Sequence, residues 1–116
     1  MWHRCPYRLR SGFRQAALRN PQQVDQIKEL MLKGKWDFKD RGHALAYWRD
    51  GRTVWIGDGH HRVNAALEIG RSTGDWSYLD RLLEFGIQSP DLPPKADRCR
   101  FPTRGWLSWL LMLMEF

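Results

Sequence analysis

The chain predicts an α/β fold of the α+β kind: one compact domain with a small mixed sheet, a phosphate site where a strand turns into a helix, and extra helices toward the C-terminus. Three observations carry this. The run Thr53-Val54-Trp55-Ile56 alternates β-branched and aromatic residues and feeds a turn, Gly57-Asp58-Gly59-His60-His61-Arg62, ahead of the alanine-rich helical pattern Val63 to Leu67. Asp50-Gly51 just before it is a hairpin signal, so that strand has a partner. A length of 116 residues suits one core that needs neither disulfide nor metal to hold it.

Taken in order, residues 1–19 read as a basic arm, with Arg4, Arg8, Arg10, Arg14 and Arg19 set among Tyr7, Leu9, Phe13, Ala16, Ala17 and Leu18. Such arginines either reach an anion or lay their stems on the core. Residues 20–70 form the core. Asn20-Pro21 starts a helix, Asn as cap and Pro at the first position, with Gln23 placed for a capping box. Val24, Ile27, Leu30 and Met31 mark its buried stripe and Gly34 its left-handed close. Glu29 falls off that stripe. Trp36 and Phe38 suit a strand start or a packed turn, and His43 to Trp48 reads as the strand that pairs through the hairpin with Thr53 to Ile56. After the central turn, Val63, Ala66 and Leu67 give a helix ending at Gly70, and Arg71 to Gly74 a loop. Residues 71–116 read as a helical elaboration. Asp75 caps a helix through Trp76, Leu79, Leu82, Leu83 and Phe85 to Gly86; Ser89 to Pro94 is an extended strap; Pro102-Thr103 opens a last, strongly apolar helix.

Composition narrows the partners. Nineteen Lys and Arg against thirteen Asp and Glu give a formal charge of +6, which favours an anionic partner. Seven tryptophans imply that aromatic burial supplies much of the core. Cys5 and Cys99, too few for a zinc site, are either ordinary thiols or one bridge between the two ends. Met1 to Arg10 lacks the apolar region of a secretory signal, and the apolar stretch Trp106 to Met114 falls short of the about 20 residues a membrane span needs. No span is expected.

The central turn holds the chemistry. Glycines at 57 and 59 let backbone amides approach an oxyanion at a helix N-terminus, and Arg62 on the first helical turn can grip phosphate oxygens in a bidentate fashion. Asp58 is a hard ligand for Mg²⁺ beside those phosphates, or an aligner of the attacking group. His60 and His61 diverge by about 100° once the helix has begun, so they do not ligate one metal together. One can meet the phosphates as a donor or proton carrier while the other packs against the sheet.

The string Asp58-Gly59-His60-His61-Arg62, followed by Ala65, resembles the signature box of the ParB/sulfiredoxin-like superfamily, over about Asn20 to Gly70. CTP-binding partition proteins of that superfamily are similar at Gly59, Arg62 and Ala65 but have Glu at the place of His60 and Arg at that of His61. Sulfiredoxins would have their catalytic Cys where His60 stands, which excludes that reductase chemistry. Free-serine kinases have an Asp-Gly-His-His-Arg box like this one. The resemblance therefore implies Asp58, His60, His61 and Arg62 at a nucleotide phosphate and Mg²⁺ site, with Glu29 a candidate for their catalytic helix glutamate. Phe101 to Trp109 with its apolar close is similar to the end of ParB-like domains at the C-termini of bacterial polymorphic toxins, which implies an effector delivered into a target-cell cytoplasm and neutralised by an immunity protein.

The expectation is a nucleotide-binding domain that hydrolyses a nucleoside triphosphate, ATP foremost, or transfers its phosphoryl group. Asp58, His60, His61 and Glu29 are the catalytic candidates; Gly57, Gly59, His61 and Arg62 hold phosphate; Asp58 holds Mg²⁺. A basic nuclease or nucleic-acid-binding module using the same cluster is the second expectation, and a nucleotide switch without turnover the third.

Overall fold

In the computed structural model, residues 4–14 and 17–104 are described. In chain order they form β1 (Arg8–Ser11), α1 (Pro21–Leu32), β2 (Ala46–Asp50), β3 (Thr53–Asp58), α2 (His60–Thr73), α3 (Ser77–Glu84), β4 (Ile87–Gln88) and β5 (Cys99–Arg100), with short 3-10 turns at Arg41–His43 and Lys95–Asp97. The strands make one five-stranded mixed sheet in the order β4-β2-β3-β1-β5. The domain thus mixes helices and sheet as its sequence predicts.

β2 and β3 are the antiparallel hairpin, Asp50 opposite Thr53, and Gly51 takes the positive φ of +61° that the tight turn requires. Alternation then sorts the faces. Tyr47, Val54 and Ile56 are buried under the helices, while Trp48 and Trp55 stand opposite each other on the other side. α1 delivers Val24, Ile27 and Met31 to the core, α2 Val63, Ala66 and Leu67, and α3 Leu79, Leu82 and Leu83. All three helices therefore cover one face of the sheet.

Several expectations are corrected. The basic arm is no free arm: Arg8–Ser11 pairs parallel with β3, Leu9 beside Val54 and Ser11 beside Ile56. Its period-two pattern, Leu9 and Ser11 inward, is hidden in the sequence by the arginines at 8 and 10. Leu30 lies outside the α1 stripe, 38% exposed. Asn20 makes no side-chain cap, and Gln23 answers only by its backbone amide to the Asn20 carbonyl at 3.0 Å. The close at Gly34 is as predicted: its amide bonds Met31 O while the Lys35 amide bonds Leu30 O, a Schellman pair around φ +71°. Trp36 lies in irregular chain and Phe38 in a turn, neither starting a strand, and the strand expected from His43 begins only at Ala46.

α2 does not stop at Gly70. It runs another turn to Thr73 and closes on Gly74 at φ +80°, so Arg71 to Thr73 are helical rather than loop. Gly70 is instead a packing position, where a Cβ would run into the Trp76 indole. Replacing Gly70 by Ala is expected to cost about 2 kcal/mol in a urea unfolding curve, the range for overpacking a closed contact. Asp75 does serve α3, accepting the Ser77 amide at 3.0 Å.

Within the described residues the C-terminal part is helical through the end of α2 and the expected helix after Asp75, which is α3. After α3 come β4, an extended segment with Pro93 buried, and β5. The segment spans the sheet from edge to edge, and the Arg98 guanidinium lies 5.2 Å over the Trp55 ring on the side away from the helices. The predicted last helix, and most of the run resembling toxin domains, lie outside the described residues. Among the described residues no helix is long and apolar enough to cross a membrane. Arg104 ties the end of the described chain to α1 and α2, bonding Asp25 at 2.8 Å and Glu68 at 2.8 Å and 2.5 Å.

Candidate functional site

β3 ends at Asp58 and α2 begins at His60, so the whole reversal falls on Gly59, at φ +101° and ψ 29°. The helix has no side-chain cap. Its first internal bond is Val63 N to Gly59 O at 3.0 Å, which leaves the amides of His60, His61 and Arg62 without intrahelical acceptors. Around this helix start lies a cleft of about 670 Å³, walled by Gly57 to Arg62, by Phe13, Arg14, Ala17 and Arg19, and by Gln23 and Ile27 of α1. That volume falls in the range of small-ligand sites, about 300–1,000 Å³.

The two histidines do diverge. His60 is buried, 5% exposed, stacked on Phe101 at 5.5 Å, with Nε2 3.0 Å from Ser11 Oγ. Ser11 Oγ donates its single proton to the Phe13 carbonyl at 2.8 Å, because a carbonyl can only accept. His60 Nε2 must therefore be the donor to Ser11. Burial pushes its pKa down to about 4, against a smaller upward pull from Asp58, with His61 adding to the depression. His60 is neutral at pH 7 and too weakly basic to serve well as a proton acceptor there.

His61 is more open. Its Nε2 accepts the Asn20 amide at 3.1 Å, which leaves Nδ1 as the ring's donor. Burial, then Arg62 and Arg19, lower its pKa. This bond stitches the start of α1 to the start of α2.

Arg62 lines the cleft, but Nη1 donates to the carbonyls of His43 and Ala44, both at 3.0 Å. Part of the guanidinium is thus committed to holding the approach to β2 against the turn. Asp58 is exposed at the cleft and has no ion pair among the described residues. Gly57 serves packing as well as access, since a Cβ there would meet the Trp48 ring at 2.7 Å and Phe13 at 3.2 Å. Glu29 is not brought to the site. It lies two residues, about 200° of helix, from the cleft-lining Ile27, and pairs with Lys33 at 2.6 Å on the exposed side of α1. Among the described residues no group of three His, Cys, Asp or Glu side chains is placed to hold a metal ion.

Ser11 behind the cleft is missed by the sequence, and Phe13, Arg14 and Arg19, read there only as parts of a basic arm, are brought to the cleft wall. One signal is present: Arg19 immediately precedes the Asn-Pro helix start, so a helix packed beside the central turn carries it to the cleft. Comparison of the chain with protein-family models, with curated proteins and with solved structures returns no match.

Proposed function

We propose that the cleft binds a nucleoside triphosphate, ATP foremost, through its phosphates, and hydrolyses it or transfers its terminal phosphoryl group. The observation that carries this reading is the uncapped start of α2 opening into a cleft lined by Arg14, Arg19 and Arg62, with Asp58 its one acidic residue among the described residues. Free amides and the positive end of the helix dipole favour an anion there. The likeness of Asp58-Gly59-His60-His61-Arg62 to the box of free-serine kinases supports the same reading.

The residues divide the work. Amides of His60 to Arg62 and the side chains of Arg19 and His61 hold phosphate oxygens. Asp58 orients the attacking water or hydroxyl at its carboxylate, or serves as a protein ligand for Mg²⁺. One carboxylate suffices for such an ion, because Mg²⁺ keeps waters and takes substrate phosphates as its other ligands; when bound it neutralises charge on the transferring group. His60 acts as a positioning residue, fixing the end of β1 against α2 through Ser11.

Calorimetry with ATP and Mg²⁺, followed by phosphate release, tests the proposal; absence of binding would end it. Arg19→Ala is expected to raise the nucleotide Kd about tenfold, the loss of one charge-assisted bond. Asp58→Asn is expected to leave Kd within about threefold and to lower turnover at least about a hundredfold, as for a residue acting chiefly in the transition state. A joint fall in binding and turnover in Asp58→Asn would select the Mg²⁺-ligand role over the orienting one, and unchanged turnover would remove Asp58 from both.

A further inference from the structure

On the sheet face away from the helices, Arg10 of β1 stands directly opposite Arg100 of β5 in antiparallel register, and Arg8 follows two residues along the same strand. Like charges directly opposite on one face destabilise a sheet. None of the three arginines pairs with a carboxylate among the described residues. Asp50, the acidic residue at a strand position on this face, is kept from Arg8 by the intervening Thr53 of β3. The extended segment before β5 covers the middle of the face through Arg98 on Trp55, so the arginines line its β1–β5 margin. Beyond Ser11 the chain leaves β1 through Gly12 into Phe13 and Arg14, which wall the cleft.

We propose that this margin binds a single strand of nucleic acid laid along β1 and led into the cleft. A repulsive arginine pair with no internal counter-charge is what a polyanion neutralises, and counterion release from its backbone drives the binding. The strand is single because a cleft of about 670 Å³ admits one nucleotide at its end and not a duplex. Phe13, 50% exposed and edge-on to Trp48 at 6.1 Å, offers a ring for a base to stack on at the cleft mouth. Binding along the margin stands whether or not the cleft takes a free nucleotide.

The test uses the full chain and dye-labelled twelve-nucleotide DNA and RNA strands, read by fluorescence anisotropy across a salt series. The double variant Arg10→Gln with Arg100→Gln is expected to bind at least about tenfold more weakly at 0.1 M salt, with the salt slope reduced by about 1.4, two single-strand phosphate contacts. Arg100→Gln alone is expected to leave the melting temperature unchanged or raise it, since it relieves the repulsion; this separates lost binding from lost folding. An unchanged slope in the double variant, no binding by the wild type at 50 mM salt, or equal competition by polyglutamate, which would point to an acidic protein instead, each overturns the proposal. ATP calorimetry on the same double variant keeps the two readings apart: unchanged nucleotide binding with weakened strand binding supports this one, and strand binding by a wild type that ignores ATP removes only the cleft assignment.

Discussion

Gly59→Ala is expected to destabilise the domain by about 3–4 kcal/mol, combining backbone strain of about 1–3 kcal/mol with overpacking of similar size. At φ +101° an L-residue is strained whatever the space around it, and here there is none. The added Cβ would overlap Leu45, which is fully buried and has nowhere to go, and would come within 3.2 Å of Arg62 Nη1. Gly51→Ala is the control. It also has a positive φ, +61°, but no atom within 4 Å of the new Cβ, so only the backbone cost of about 1 kcal/mol remains. Urea unfolding of the two variants reads the difference; near-equal values would mean that the turn at Gly59 is not closed by Leu45. Nucleotide binding by Gly59→Ala should be lost even at low temperature, where the variant is folded, because the turn aims the α2 amides.

The second large effect is on acid stability. His60 titrates near 4 in the folded chain and near 6.5 when unfolded. Between those values the unfolded state binds the proton and the folded state does not, so stability is full above about pH 6.5 and falls as pH drops toward 4. From pH 7.5 to 4.5 the loss assigned to this one group is about 2–3 kcal/mol. His60→Asn keeps a donor toward Ser11 and removes the titration. Its unfolding free energy should be lower than wild type at pH 7.5, yet depend less on pH over that window. His61, also depressed, contributes in the same direction in both proteins and cancels in the comparison. Parallel pH profiles for the two proteins would show that His60 is not held neutral by burial.

The parts of this fold legible in the sequence are those where local chemistry and final structure agree. The Asp50-Gly51 hairpin, the strand into Gly57-Asp58-Gly59, the start of α1 at Pro21 and its close at Gly34 are local signals, and each is found. β1 escapes a sequence reading because its inward residues, Leu9 and Ser11, are held by a strand more than 40 positions away, while its outward arginines dominate the composition. Gly70 reads as a helix end because a glycine at that spacing ends many helices; the packing of Trp76 that requires it is a tertiary fact. The candidate site divides the same way. Asp58 and His61 stand at the predicted turn, but Arg62 turns partly back to two carbonyls and Glu29 faces away with Lys33. Ser11, which sets the His60 tautomer, becomes visible only once β1 is known to lie beside β3.

The position of β1 carries a kinetic consequence. The β2–β3 hairpin closes over a two-residue turn, but β1, although made first, pairs with residues 53–56 and with Cys99–Arg100 near the other end of the described chain. Contacts so far apart in sequence are late to form, since loop closure must be met before pairing rewards it. Ser11 therefore reaches His60, and Phe13 and Arg14 reach the cleft, only when this strand docks. A refolding chain would regain its hairpin first and its binding competence last, so ligand affinity followed in a stopped-flow trace should lag behind the recovery of sheet signal.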